Sequence, residues 1–232
     1  GFIKRTALSA FSKIRSNGLI AINLEERDAL TWVRLSKEGD SVLIGSRNGM
    51  AIHFRLDVNE LRPLGRTARG VKSMNLREGD NLVSMDVLTS ELVDQLAKIE
   101  SHNNNIEDTL EVNSSDGPWV LIASAFGLGK RVPVTQFRLQ KRAGMGLRAI
   151  KFRIKNDALV CLKVLGEGEE LLFVTEKGVI VRTSADKISQ QSRAATGVKL
   201  QRLDDGDHLS EVVLVPHEQI EVSDQITSVV EN

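Results

Sequence analysis

Val42-Leu-Ile-Gly-Ser46 and Met50-Ala-Ile-His-Phe54 stand on either side of Asn48-Gly49. An Asn-Gly pair between two short apolar runs signals a β-hairpin, because both central residues of a type I′ turn need positive φ. The arrangement returns twice. Trp119-Val-Leu-Ile-Ala123 and Lys130-Arg-Val132 flank Phe126-Gly127, and Leu171-Leu-Phe-Val-Thr175 and Val179-Ile-Val-Arg182 flank Lys177-Gly178.

These hairpins belong to a repeat. Four segments open on a glycine and a short strand-like run: Gly1-Phe-Ile-Lys-Arg-Thr6, Gly49-Met-Ala-Ile-His-Phe54, Gly127-Leu-Gly-Lys-Arg-Val132 and Gly178-Val-Ile-Val-Arg-Thr183. Each is followed by a basic loop and a second glycine, at Gly18, Gly70, Gly146 and Gly197, lying 17, 21, 19 and 19 residues after the first. A strand is expected after each second glycine, as at Val71 to Leu76 and Val198 to Leu203. An acidic turn follows, Arg77-Glu-Gly-Asp80 or Asp204-Asp-Gly-Asp207, then a closing strand at Leu82 to Leu88, Leu159 to Leu165 or Leu209 to Val215. The repeats start 48, 78 and 51 residues apart. Without one insertion of about 27 residues the period is near 50, in the range of propeller blades.

A four-stranded unit cannot bury both its faces alone, so the units are expected to stack around a common axis. The fold class is therefore all-β, a β-propeller of about four repeats near 1–45, 46–88, 119–170 and 171–216. The insertion 89–118 is expected to be mostly irregular. Within it Leu88, Leu92, Leu96 and Ile99 have helical spacing behind a Thr89 or Ser90 cap, so a short helix is expected over Thr89 to Glu100. The acidic tail 217–232 is expected to be disordered. No strand precedes Gly1, as expected of a piece of a longer protein in which the hairpin partner lies elsewhere.

The 31 Lys and Arg balance the 31 Asp and Glu, but unevenly. Segment 88–116 holds seven acids and one base, and 217–232 four acids and no Lys or Arg, so the remaining body is basic by about ten charges. Cys161 is the single cysteine, which excludes an internal disulfide framework. It lies in an apolar run, as do Trp32 and Trp119, and all three read as core. His53, His102, His208 and His217 lack the spacing of a zinc site. The acidic turns lack a complete calcium loop and read as hairpin turns.

The basic loops are the candidate functional residues. The first holds Lys13 and Arg15. The second holds Arg66, Arg69 and Lys72. The third runs from Arg138 through Gln140-Lys-Arg-Ala-Gly-Met-Gly146 to Arg148, and the fourth holds Arg193 and Lys199. One such loop alone reads as a solvated turn. Four at one repeat position read as a track for a phosphate backbone, with glycines letting main-chain N–H groups approach. Base reading is not indicated, since the aromatic residues fall mostly in strands; backbone contact and DNA bending fit better.

The repeats resemble the C-terminal domain of DNA gyrase A, from the type IIA topoisomerases. Gly1-Phe-Ile-Lys-Arg-Thr-Ala-Leu-Ser9 and Gly129-Lys-Arg-Val-Pro-Val-Thr-Gln-Phe137 match its hairpin and exposed basic loop. Arg66-Thr-Ala-Arg-Gly-Val71 and Ser192-Arg-Ala-Ala-Thr-Gly-Val198 match its loop ends. Gln140 to Gly146 is similar to its wrapping motif, the gyrase box Q-R-R-G-G-K-G, with departures at Ala143 and Met145. The resemblance implies a β-pinwheel, in which blades exchange strands, and the wrapping of duplex DNA around a basic rim. Lys13, Arg15, Arg66, Arg69, Lys72, Gln140, Lys141, Arg142, Gly144, Gly146, Arg148, Arg193 and Lys199 would be the DNA-contacting residues.

It also implies a parent A2B2 complex with the remainder of gyrase A and with gyrase B. That complex would be cytoplasmic, at the nucleoid, or in a plastid, with no membrane. Its ATP and Mg2+ would be bound at other domains, to drive negative supercoiling. The chain itself has no tyrosine for DNA cleavage and no G-x-x-x-x-G-K-[ST] loop, so a catalytic site, cofactor or metal within it is not expected. Two alternatives stay open: the matching domain of topoisomerase IV, and a propeller that binds protein partners.

Overall fold

The computed structural model describes residues 1–14, 16–26, 28–95, 118–166 and 168–215. In chain order the strands are β1 (Phe2–Ile3), β2 (Ser41–Ser46), β3 (Met50–Arg55), β4 (Val71–Lys72), β5 (Leu82–Leu88), β6 (Trp119–Ser124), β7 (Leu128–Pro133), β8 (Leu147–Arg148), β9 (Leu159–Leu165), β10 (Glu170–Thr175), β11 (Ile180–Ser184), β12 (Val198–Lys199) and β13 (Leu209–Val215). The hairpins β2–β3, β6–β7 and β10–β11 form where the turn glycines predict them, but not as type I′ turns: Gly49, Gly127 and Gly178 carry positive φ, Asn48, Phe126 and Lys177 before them do not, and each glycine N–H closes its turn on Ser46 O, Ser124 O or Thr175 O.

The acidic turns have a structural task. Asp80 Oδ1 accepts the N–H of Asn48 at 3.0 Å, Asp157 Oδ1 that of Phe126 at 3.1 Å, and Asp207 Oδ1 that of Lys177 at 3.1 Å. Each donor is the residue before a turn glycine. One carboxylate oxygen, two residues before the closing strand, thus braces each hairpin turn and satisfies a main-chain donor the turn would leave open.

Each closing strand pairs antiparallel with the first strand of its hairpin: β5 with β2, β9 with β6, β13 with β10. On the other side of the hairpin the partner comes from the next repeat. The sheets run β5-β2-β3-β8 and β9-β6-β7-β12, and β4 lies on β1 in the same way. The outermost strand of each blade is therefore exchanged, which is the β-pinwheel arrangement. The third sheet, β13-β10-β11, has no exchanged strand among the described residues.

The exchanged strands are shorter than the sequence predicts, two residues each rather than six. After β4 the chain turns inward, and Met74 enters the core at 1% exposure. Burying that side chain outweighs continuing an edge pairing.

The core lies between blades. Leu43, Val120, Ile122, Leu159 and Leu162 join the sheets of β2 and β6, and Leu121, Cys161, Phe173 and Val212 join the sheets of β6 and β10. Side-chain bonds add to this contact. Ser84 Oγ donates to Leu162 O at 2.7 Å, and Asp86 Oδ2 accepts Val164 N–H at 2.8 Å. Cys161 and Trp119 are buried, and burial pushes the Cys161 thiol up to about 12. Trp32 is half-buried.

The expected helix begins as predicted. Residues 90–95 are helical, Thr89 Oγ1 accepts Leu92 N–H at 3.4 Å, and Asp40 Oδ1 accepts Ser90 N–H at 2.9 Å. Val93 packs into the core between the blades. The rest of that helix, the polar stretch after it and the acidic tail lie outside the described residues.

Candidate nucleic-acid interface

Three of the basic loops are laid across the neighbouring blade in one repeating register. The residue six before the second glycine donates its N–H to the preceding repeat: Leu64 to Arg5 O at 2.7 Å, Gln140 to His53 O at 2.7 Å, Gln191 to Arg131 O at 2.9 Å. The residue three after that glycine donates to the first glycine of the preceding repeat: Ser73 to Gly1 O at 3.0 Å, Ala149 to Gly49 O at 2.8 Å, Leu200 to Gly127 O at 2.8 Å. Between these anchors the second glycine passes against a carbonyl. A Cβ on Gly70, Gly146 or Gly197 would collide with Ile3 O, Ala51 O or Gly129 O, and all three glycines have positive φ. The crossing itself therefore demands glycine.

This register sets three cations in equivalent places. Lys72 faces Phe2, Arg148 faces Met50 and Lys199 faces Leu128 across the exchanged pairings, and all three cations are exposed. Lys141, in the third loop, is exposed as well. Lys13 is exposed on a segment that forms no strand, and Arg15 lies outside the described residues.

The other predicted side chains have partners within the protein. Arg66 donates to Ile20 O at 3.1 Å. Arg142 donates to Lys72 O at 2.6 Å and Glu60 O at 2.9 Å, and Arg193 donates to Arg148 O. Each is half-buried. Arg69 pairs with Glu25, and its guanidinium lies 3.9 Å from the centre of the Phe2 ring. Gln140 is half-buried with its Oε1 enclosed. A Cβ on Gly144 would meet Ile52 Cδ1 and Lys141 O at 3.6 Å, an ordinary contact distance, so this glycine is not demanded by sterics.

Lys4, Lys130 and His53, which no loop motif singles out, hold these loops in place. Lys130 is fully buried, and its Nζ donates to Ser192 O at 2.8 Å, Arg193 O at 2.6 Å and Ala195 O at 2.7 Å. Burial, and then the charge of Arg193, push its pKa down to about 8. Lys4, at the same repeat position, donates to Gly65 O at 3.2 Å and to Arg66 O. The corresponding residue in the second repeat is Ile52, and there Glu60 holds the loop by accepting Arg142 N–H at 2.9 Å. His53, one position on, meets Phe137 O through Nδ1 and Ser41 Oγ through Nε2, both at 2.7 Å. The Lys-Arg pair three and four residues after Gly1 and Gly127 was the available sequence signal.

The described residues contain no group of His, Cys, Asp and Glu able to hold a metal ion, and no helix long and apolar enough to cross a membrane.

Comparison with known proteins follows the same outline. The sequence profile of a family described as the DNA gyrase C-terminal domain, beta-propeller, matches residues 1–37, 40–89, 118–160 and 169–216. The chain is 55% identical over 223 residues to the DNA gyrase A protein of a Synechocystis strain, covering 93% of this chain and 26% of that protein. It is 40% identical over 218 residues to the DNA gyrase A protein of Staphylococcus epidermidis, covering 94% of this chain and 22% of that protein. The chain thus spans about a quarter of the length of these relatives. Among solved structures, the C-terminal domain of DNA topoisomerase IV superposes with a TM-score of 0.73 at 25% identity, over 93% of this chain and 59% of that one. A DNA gyrase A C-terminal domain gives 0.64 at 27% identity, over 84% and 57%.

Proposed function

The chain belongs to the DNA gyrase C-terminal domain family, and from that premise we propose that it binds duplex DNA along its exchanged strands and bends it around the rim. The observation that carries this reading is the repeated placement of Lys72, Arg148 and Lys199, exposed and in one register on successive blades. Phosphates spaced along a curved duplex meet a cation at each blade, and Lys141 adds a further charge on the third loop. Such binding neutralises phosphates and releases counterions, so it weakens steeply with salt and selects little for sequence. The protein supplies shape and charge and no bond-making step. Cleavage, and the ATP and Mg2+ that drive supercoiling, belong in this proposal to other domains of the parent and to gyrase B, in the nucleoid or a plastid.

A second reading is a domain that binds DNA but wraps it weakly, of the topoisomerase IV kind. Ala143 and Met145 favour it, since they remove a glycine and a positive charge from the box-like loop. A mobility-shift titration at two salt concentrations, on duplexes of increasing length, tests the binding. Affinity that rises with duplex length and falls with salt supports the proposal, and salt-independent or absent binding overturns it. The linking number left after sealing nicked circles on the protein separates the two readings: a positive shift indicates wrapping, and no shift indicates the weaker mode.

A further inference from the structure

We infer that Arg66, Arg142 and Arg193 form a ladder of guanidinium-to-carbonyl bonds that fixes the offset between successive rim segments, so that they position the rim cations rather than serve chiefly as phosphate contacts. The inference rests on the wrapping reading for its functional meaning, but its geometry stands by itself.

Each arginine lies four residues before a second glycine: Gly70, Gly146 and Gly197. Each donates through the same nitrogen, Nη1, to the carbonyl of the residue two after the preceding second glycine. Those acceptors are Ile20 O, Lys72 O and Arg148 O. The same relation at three junctions is set by the repeat and not by a chance side-chain rotamer. Two of the three acceptors are the carbonyls of Lys72 and Arg148, the residues proposed to meet the DNA. Each of those rungs therefore ties one blade's loop to the main chain beneath the previous blade's cation.

The last two rungs have further support. Arg142 N–H is held by Glu60 Oε2 at 2.9 Å, and Arg193 N–H by Gln136 Oε1 at 2.7 Å. Glu60 and Gln136 occupy matching places, each just before a buried residue, Leu61 or Phe137. A parallel main-chain contact joins the same segments. Asn75 donates to Gly144 O at 2.9 Å and Lys151 to Ala195 O at 3.3 Å, again in one register. Arginine suits this position because its planar fork reaches a carbonyl at a fixed angle, whereas a lysine ammonium on a flexible stem does not fix an angle. A small change in offset per blade accumulates along the rim, as curvature does in stacked repeats.

The test uses the whole chain carrying the charge-conserving triple substitution Arg66→Lys, Arg142→Lys and Arg193→Lys, with Arg142→Lys alone in case the triple does not fold. Spin labels at E78C and K155C, and at K155C and D205C, report the distance between equivalent exposed turns of neighbouring blades without DNA. The expected result is a broadened or displaced distance distribution with the circular dichroism of the parent. In DNA assays the linking-number shift should fall several-fold while the salt slope of binding is kept. Unchanged distances overturn the ladder. So does a charge-removing set, Arg66→Gln, Arg142→Gln and Arg193→Gln, that lowers the salt slope while the lysine set leaves distances and wrapping intact, since the arginines would then be phosphate contacts. If the unsubstituted chain binds no DNA, the wrapping reading fails and the distances alone decide the ladder.

Discussion

Lys130 donates its ammonium to the carbonyl oxygen of Arg193 at 2.6 Å, across 63 positions of sequence. Ser192 O and Ala195 O complete the cluster, so one buried lysine anchors the loop that the following repeat lays over it. Replacing it by methionine fills a similar volume but leaves three carbonyls without their donor. Hydrogen bonds to a charged group contribute about 1.5–3 kcal/mol each, partly offset by the cost of burying the charge. Lys130→Met should therefore lose about 3 kcal/mol in urea unfolding. A loss below about 1 kcal/mol would mean that water takes over the three carbonyls.

The hairpin braces make a milder prediction. Asp157 Oδ1 accepts both Phe126 N–H and Ala158 N–H, at 3.1 and 2.8 Å. Asp157→Ala opens both donors and should cost about 1 kcal/mol, comparable with losing a helix cap. Asp157→Asn keeps an acceptor oxygen and should cost less. Amide hydrogen exchange at Phe126 checks the mechanism, since its protection should fall in the alanine variant first.

The hairpins, the closing strands and the repeat were legible because turn glycines and apolar runs act locally. Val42 to Phe54 needs no distant residue to be read as a hairpin. The exchanged strands were legible only as glycines with a following apolar residue, because their partners lie a whole repeat away. Their shortness follows from side chains such as Met74 turning into a core that no local pattern displays. Among the candidate site residues, Lys72, Arg148 and Lys199 look the same in sequence as Arg66, Arg142 and Arg193. What separates them is a carbonyl supplied by the preceding repeat. Lys4 and Lys130 are not legible as clamps in the sequence, because a lysine in a strand-like run reads as surface and only the covering loop makes each a clamp.

His53 predicts a pH dependence. The residue is 4% exposed; burial is the main cause that lowers its pKa below the ordinary 6.5, with Arg55 adding to it and the Phe137 carbonyl opposing it. Just below 6.5 the unfolded chain therefore binds a proton that the folded chain does not. Stability should fall as the pH drops through that window and should recover above it. His53→Gln, which can still bridge Ser41 and Phe137, should flatten the slope. Urea midpoints for the two proteins across the window decide it: parallel curves would mean that His53 does not titrate differently on folding.

Ala143 sits at φ 64, in the left-handed region, at the position where the gyrase box has its first glycine. A side chain there costs about 1–2 kcal/mol, of which glycine returns part through its freer unfolded chain. Ala143→Gly should raise stability by about 0.5–1 kcal/mol. Thermal unfolding measures it, and a destabilised variant would show that the loop does not hold this conformation.

The rim cations give the sharpest prediction for binding. Lys72, Arg148 and Lys199 are exposed, and their strands pair through main-chain groups, so Lys72→Gln, Arg148→Gln and Lys199→Gln together should leave the fold intact. The carbonyls of Lys72 and Arg148 stay available to Arg142 and Arg193, because only side chains change. Each lost phosphate contact lowers the slope of log K against log salt by about 0.9, so the triple variant should bind with a slope smaller by about 3. Its affinity should approach that of the parent at high salt, where the counterion contribution vanishes. A slope unchanged by the three substitutions would place the DNA on some other face of the molecule.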